Sequence, residues 1–386
     1  MSDPEAPSAP AATAAAPRTA PLRVGLIGYG LAGSVFHAPL IAATDGLLLD
    51  TVSTRSPERQ AQARAEHPQV RTVASPEEVL DRAAAGALDL VVLASPNKTH
   101  VPLATAALEA GAAVVVDKPL AATAAEAERL AALADRRGLL LSVFQNRRWD
   151  NDFRTLRRLL ADGALGEVRR FESRFERWRP QPKGGWRESG DPEELGGLLY
   201  DLGSHLVDQA LTLFGPAVSV YAEADVRRPG AEADDDTFLA VTHAGGVRSH
   251  LWVSATAAQL GPRFRVLGSR AGYVKYGLDP QEAALRAGRR PDTEGDAWGV
   301  EPESAWGRLG AEGAPPAPAA EASPRTGAGQ PVPTLPGAYP AYYAAIARAL
   351  REGGAPPVTA TEAAAALRVL EAARRSAAEG RTVSLR

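Results

Sequence analysis

Lys118, Asp201 and His205 are the side chains whose types and settings suggest proton chemistry. Asp201 and His205 stand four apart in Gly196-Gly197-Leu198-Leu199-Tyr200-Asp201-Leu202-Gly203-Ser204-His205-Leu206-Val207-Asp208, a mostly apolar, helix-permissive stretch. On a helix such a pair shares one face, with Cβ atoms roughly 5–6 Å apart. A polar pair among leucines needs a partner, because unpaired burial is costly. That partner is either a structural Asp–His hydrogen bond or a substrate in a cleft. Asp208, three beyond His205, fits a support for the histidine and a plain helix position equally well. Lys118 follows the apolar run 112–116 within Asp117-Lys118-Pro119. At the carboxyl end of a buried parallel strand it would enter the ligand crevice. There a lysine can hold a substrate oxygen and, once desolvated, pass a proton. The plain alternative is a surface lysine.

A second group of residues would hold a dinucleotide. Leu22-Arg23-Val24-Gly25-Leu26-Ile27 reads as a buried strand that runs into Gly28-Tyr29-Gly30-Leu31-Ala32-Gly33. Gly28 permits the tight turn, Gly30 lets backbone approach a pyrophosphate, and Gly33 allows close helix–strand packing. The helix that follows offers free N–H groups and a positive dipole end to phosphate. An NAD site usually carries an acid about 20 residues on, at the tip of the second strand. Asp50 fits by count but sits mid-strand, and the tip reads Ser53-Thr54-Arg55. With no carboxylate there, Arg55 can pair with a 2′-phosphate or stack on adenine, which favours NADP and leaves NAD possible. Otherwise Arg55 is a solvated loop residue. The mostly apolar run 88–95 ends at Ser95 and continues into Pro96-Asn97-Lys98-Thr99-His100, where a parallel strand delivers ligand-binding loops.

The elements that must position these groups alternate strand and helix through residues 21–145, which implies a doubly wound parallel sheet. Ser75-Pro76-Glu77-Glu78 and Thr123-Ala124-Ala125-Glu126 are helix starts with capping-box spacing. Residues 146–386 read as an α+β unit with a large, mainly antiparallel sheet. Its strands are expected over 168–178, 218–226, 237–242, 247–254 and 263–266, and the Gly196–Asp208 stretch falls on a helix over about 193–213. Residues 310–337 are Pro-, Gly- and Ala-rich and read as an exposed or mobile loop. The alanine-rich segment 1–20 reads as a disordered tail without a signal-peptide core.

Composition narrows the function. The 386 residues carry 43 basic and 46 acidic side chains, a net charge of −3, which points to neither nucleic acid nor an anionic membrane. No cysteine is present, so disulfides, thiolate chemistry and Cys-ligated metals are excluded. Six scattered histidines leave little for a metal site. No run of 18 apolar residues occurs, and a cytoplasmic protein is expected.

Taken together, the glycine turn, Pro96-Asn97-Lys98-Thr99-His100, Asp117-Lys118-Pro119 and Gly196–Asp208 resemble the motifs of the glucose–fructose oxidoreductase/inositol dehydrogenase (Gfo/Idh/MocA) family. Aspartate replaces the usual glutamate before Lys118. Ser34-Val35-Phe36-His37, residues 146–153, Trp186-Arg187-Glu188, residues 199–209 and Lys275-Tyr276-Gly277-Leu278-Asp279 further resemble its NADP-dependent scyllo-inositol 2-dehydrogenase subgroup. The resemblance implies an NAD(P)-dependent dehydrogenase acting on a cyclic polyol or sugar, and a homo-oligomer. It carries the catalytic roles onto Lys118, Asp201 and His205, with His205 as base and Asp201 orienting the imidazole or a neighbouring hydroxyl. Asn97 and His100 would lie along the nicotinamide ribose, and Lys118-Pro119 would be a cis peptide. Arg147, Trp149 and Arg187 would touch substrate, unless they form a structural aromatic–arginine cluster. The same scaffold also supports NAD-dependent glycosidases and non-catalytic dinucleotide-binding regulators. Intact Lys118, Asp201 and His205 argue against the regulator, and a metal held by Asp201 and His205 lacks a third ligand.

Overall fold

The computed structural model describes residues 20–185, 188–191, 194–311 and 329–385. Its first half is a six-stranded sheet of β1 (Leu22–Ile27), β2 (Leu47–Ser53), β3 (Arg71–Val73), β4 (Leu90–Leu93), β5 (Ala113–Asp117) and β6 (Leu141–Phe144). The strands run in the order β3-β2-β1-β4-β5-β6, every neighbouring pair parallel. The connections are a π-helical turn, Ala32–His37, that runs into α1 (Ala38–Ala42), then α2 (Pro57–Glu66), α3 (Pro76–Ala84), α4 (His100–Glu109) and α5 (Ala124–Arg137). Helices cover both faces, so β4 is buried at every position and reads Leu-Val-Val-Leu. Each such side chain contributes roughly 1.5–3 kcal/mol on full burial. Ser75 with Glu78 and Thr123 with Glu126 form the expected capping boxes. The chain returns across the sheet between β1 and β4, so the crevice for a dinucleotide opens at their carboxyl ends.

The second half begins with α6 (Asn151–Ala161) and β7 (Val168–Glu176). A π-helical turn, Leu199–Gly203, then runs into α7 (Ser204–Phe214). Next come β8 (Ala217–Asp225), β9 (Asp236–His243), β10 (Arg248–Ser254), β11 (Phe264–Gly268) and β12 (Gly272–Lys275). The short helices α8 (Gln281–Arg286) and α9 (Pro291–Glu294), the strands β13 (Gly307–Gly310) and β14 (Gln330–Val332), α10 (Pro340–Glu352), α11 (Ala360–Glu379) and β15 (Val383–Ser384) complete the chain. The nine strands order as β14-β13-β12-β11-β7-β10-β9-β8-β15. Among the described residues β7 and β10 are its one parallel pair, so the sheet is mixed and mainly antiparallel.

One face of this sheet is buried. Along β9 Thr237, Leu239 and Val241 are buried while Phe238, Ala240 and Thr242 are half-exposed, the alternation a pleated strand imposes. α7 packs on β7 and β10, and α11 packs on β8. α11 also packs on α5 of the first half. The Ala124 N–H donates to Glu371 (2.7 Å), and the Ser142 hydroxyl donates to the Val358 carbonyl (2.8 Å). The two sheets are therefore locked together by the C-terminal helices.

Two details differ from the sequence expectation. The helix expected over 193–213 begins at Leu199, because Gly196 and Gly197 precede it in non-helical backbone. Within the loop expected over 310–337, Gln330–Val332 pairs as β14 with β13, while 312–328 lie outside the described residues. The expected tail lies outside them through residue 19.

Candidate active site

The glycine turn is shaped by contacts a Cβ would break. At Gly28 (φ +100) a Cβ would stand 2.4 Å from the Ala94 carbonyl oxygen, and at Gly33 it would stand 2.0 Å from that of Gly28. Gly30 is different. Its Cβ would meet nothing nearer than Arg59 Nη1 at 3.9 Å, so protein packing does not demand glycine there and the opening faces a cavity. That cavity, about 450 Å³, is bounded by Gly30, Leu31 and Ala32 on one side and by Ser95, Pro96 and Asn97 on the other. The backbone N–H groups of a first helical turn lack partners within the helix and suit a phosphate. A pyrophosphate fits this cradle.

A second cavity of about 610 Å³ adjoins the first and shares Leu31, Ala32, Asp117, Lys118 and Asp201 with it. Lys118 arrives from the end of β5, and Lys118-Pro119 is a cis peptide. Its ammonium donates to the Asp201 carboxylate (3.0 Å) and to the Asp201 backbone carbonyl. His205 follows one turn later, on α7, and is 6% exposed. Its Nδ1 is buried without a hydrogen-bond partner. Burial and the cations Lys118, Arg147, Arg263 and Arg177 hold His205 well below the usual histidine value. The imidazole is therefore neutral at pH 7, and a neutral imidazole beside a fixed ammonium can take a proton from a hydroxyl.

The start of this helix is set by Asp234, from the connection between β8 and β9. Its backbone carbonyl accepts from Leu198 N–H (2.9 Å), and its carboxylate accepts from Leu199 N–H (2.7 Å) and Thr237 (2.8 Å). A Cβ on Gly197 (φ +97) would fall 2.0 Å from Asp234 Oδ1, and one on Gly196 would fall 2.2 Å from the Ser189 carbonyl. Both glycines thus make room for protein groups.

The other candidates separate. Arg147 lines the larger cavity, but its guanidinium is taken by Glu282 and by the Tyr339 hydroxyl (3.1 Å). Burial opposes its charge, but Tyr339, Asp150 and Glu282 hold it well above the ordinary arginine value. Trp149 does not line either cavity and packs edge-on against Tyr342, 5.3 Å between rings. Arg187 lies outside the described residues. His100 is a brace: its Nδ1 meets the Pro119 carbonyl (2.7 Å) and its Nε2 that of Ser95 (3.0 Å), tying two cavity loops together. The Tyr29 hydroxyl donates to Glu66 (2.8 Å), so this side chain points away from the turn. Thr54 is buried at the tip of β2 and Arg55 is exposed beside it. Asp50 is bound to Arg82 (2.7 Å), which removes the one carboxylate that matched by count. Asp208 forms a two-pronged pair with Arg148 (2.7 and 2.8 Å) and so anchors α7 instead of supporting His205. Sequence reasoning missed Arg59 and Arg177. Arg59 sits on α2 with no motif to mark it, whereas alternation along Glu176-Arg177-Trp178-Arg179 was available to flag Arg177. No three His, Asp or Glu side chains cluster as metal ligands among the described residues.

Fold and cleft define the class: an NAD(P)-binding oxidoreductase whose dinucleotide crevice is bounded from the second half by Leu195 and the π-helical turn. Residues 22–145 match the family model described as "Oxidoreductase family, NAD-binding Rossmann fold", and residues 157–385 match "Oxidoreductase family, C-terminal alpha/beta domain". The chain belongs to the Gfo/Idh/MocA oxidoreductase family. It is 44% identical to the uncharacterized oxidoreductase YdgJ of Escherichia coli, over 94% of this chain and 99% of that one. It is 37% identical to the NADP(+) scyllo-inositol 2-dehydrogenase IolW of Bacillus subtilis, over 94% and 96% of the two chains. The crystal structure of the Bacillus subtilis oxidoreductase yvaA superimposes with a TM-score of 0.86 at 36% identity, covering 96% of this chain and 99% of that one.

Proposed function

We propose that this protein oxidises a secondary hydroxyl of a cyclic polyol or sugar, or reduces the matching ketone, with NADP as preferred cofactor and scyllo-inositol as the reference compound. The observation that carries the reading is the joining of the two cavities at Lys118 and Asp201, with the neutral His205 lining the larger one. The bound nicotinamide supplies the chemistry of accepting the hydride from the hydroxyl-bearing carbon. His205 takes the hydroxyl proton as the carbonyl forms. Lys118 holds the reacting oxygen and favours the negative charge that develops on it. Asp201 aims Lys118, since its carboxylate is engaged there and not at His205 Nδ1. For the cofactor, the support is an absence of carboxylate at the tip of β2 together with Arg55 and Arg59 nearby. IolW, an NADP(+) enzyme, is similar over almost the whole chain. We further propose that copies associate through the half-exposed face of the second sheet.

The test is a spectrophotometric screen of inositols, inososes and aldoses with NADP and NAD. Oxidation of at least one polyol is expected, with kcat/KM higher for NADP, and His205→Ala should lower kcat by on the order of a hundredfold or more. Undiminished turnover by that variant would remove His205 as base. Glycoside cleavage without net NADPH formation would move the protein to the glycosidase class.

A further inference from the structure

The larger cavity is built for more than a neutral polyol. Past β7 the chain stays extended: Arg177 N–H donates to the Ser254 carbonyl and Arg179 N–H to that of Ala255, each at 2.8 Å. Side chains two apart on such a segment share a face, so Phe175, Arg177 and Arg179 project to the same side. The Arg177 guanidinium lies 5.0 Å from the centre of the Phe175 ring, and both Arg177 and Arg179 line the cavity that holds Lys118, Asp201 and His205. Lys183 joins them at the exposed rim.

Counter-charges are present in this cavity but committed elsewhere. Asp201 pairs with Lys118 (3.0 Å) and Glu188 with Arg228 (3.1 Å). Glu282 serves both Arg147 and Arg286, and Asp117 accepts from the Lys118 N–H (2.9 Å). Arg177, Arg179 and Lys183 have no carboxylate within ion-pair distance among the described residues. Arg177 is half-buried, and burial with the neighbouring Arg179 and Arg147 pulls it below the ordinary arginine value, against Asp201 and Glu282. A guanidinium that faces a cavity with no carboxylate paired to it is open to a ligand, and a two-oxygen anion matches its fork best.

We infer that the substrate carries an anionic group, a carboxylate or a phosphate, bound by Arg177 with Arg179 and Lys183 around it. This rests on the polyol reading above and narrows it to acidic polyols or sugars. The oxidised hydroxyl and the anion would then be read by different sides of one cavity, the hydroxyl by Lys118 and His205 and the anion by Arg177.

Matched pairs test this: myo-inositol against myo-inositol 1-phosphate for the phosphate arm, and glucose against glucuronate for the carboxylate arm. In at least one arm kcat/KM should be tenfold or more higher for the anion. Arg177→Met should bring that ratio near one, and Arg177→Lys should retain part of it. If Arg177→Met fails to fold, as judged by NADPH fluorescence enhancement, the exposed pair R179Q/K183Q should still lower the ratio several-fold. Equal or better use of both neutral members, with a ratio untouched by these changes, overturns the inference. Failure of the polyol reading looks different, because no member of either pair would then be turned over although NADPH binds. In that case calorimetric titration of the NADPH complex with inorganic phosphate decides. Binding lost in Arg177→Met upholds the anion site, and equally weak binding by both proteins overturns it.

Discussion

For the base role proposed for it His205 must stay neutral, and its neighbours see to that. Four cations and burial depress its proton affinity, and no carboxylate meets its buried Nδ1 to offset them. On that proposal protonation is the inactivating event, so activity should fall as pH drops, with the fall beginning below the ordinary histidine value of about 6.5. A pH profile of kcat/KM for oxidation should therefore show no break near pH 6.5 and an acidic limb below it. A limb at or above 6.5 would mean that the cations do not act on the base. A second residue-scale prediction concerns Arg59, whose Nη1 is the nearest group to the open side of Gly30. Arg59→Ala should raise the KM for NADP by roughly tenfold, about the worth of one charge-assisted contact, and raise that for NAD less. Equal increases would assign Arg59 to the shared pyrophosphate only. Lys118 and His205 were legible in the sequence because strand ends and i,i+4 spacing are local signals. Arg59 was not, because no motif marks it on α2, and Arg177 had only the alternation past β7 to flag it, since the cavity it lines is assembled from segments remote in the chain. The role of Asp201 was misleading locally: helical spacing suggested His205, but a π-helical turn and the reach of Lys118 across from β5 redirect it.

At the scale of elements, the helix carrying Asp201 and His205 is placed by a contact no periodicity reveals. Asp234, half-buried between β8 and β9, takes the first N–H groups of the π-helical turn, and Gly197 clears the space for its carboxylate. Desolvation raises Asp234 above its ordinary value, and the hydrogen bonds from Leu199 and Thr237 oppose that rise. Gly197→Ala introduces both a strained φ and a collision. A loss of about 2 kcal/mol or more is expected, seen as a lower Tm, together with a kcat loss from displacement of Lys118 and His205. An unchanged Tm would show that Asp234 yields without consequence. The parallel sheet was readable from apolar runs and capping boxes, since those are set by the residues within each element. The order of nine strands in the second sheet was not, because adjacency of β7 and β10 is decided by packing against α7 and not by chain proximity.

For the whole molecule, the second sheet raises a question of balance: one face carries α7 and α11, and the other is half-exposed. On that outer face Phe238, His250 and Trp252 form a ring cluster with centroids 5.1–6.1 Å apart. Arg174 lies 3.9 Å over the Trp252 ring, and Glu172 holds Arg174, Arg170 and Arg265 beside it. Aromatic and arginine side chains ringed by satisfied charges are the composition of an interface centre. A second copy of the chain, related by twofold symmetry, would cover this patch with itself. Sedimentation velocity should then give a dimer or larger species for a 40.4 kDa chain. Trp252→Glu puts a charge where the interface must be dry, which costs several kcal/mol and should shift the population to monomer by a hundredfold or more in Kd. Circular dichroism matching the parent would exclude unfolding as the cause. A monomeric parent protein, or a variant that stays associated, would take the sheet face out of the assembly. Because α7 and α11 press on the opposite face of the same strands, dissociation should also lower Tm, and the size of that drop measures how far assembly stabilises the wall that carries His205.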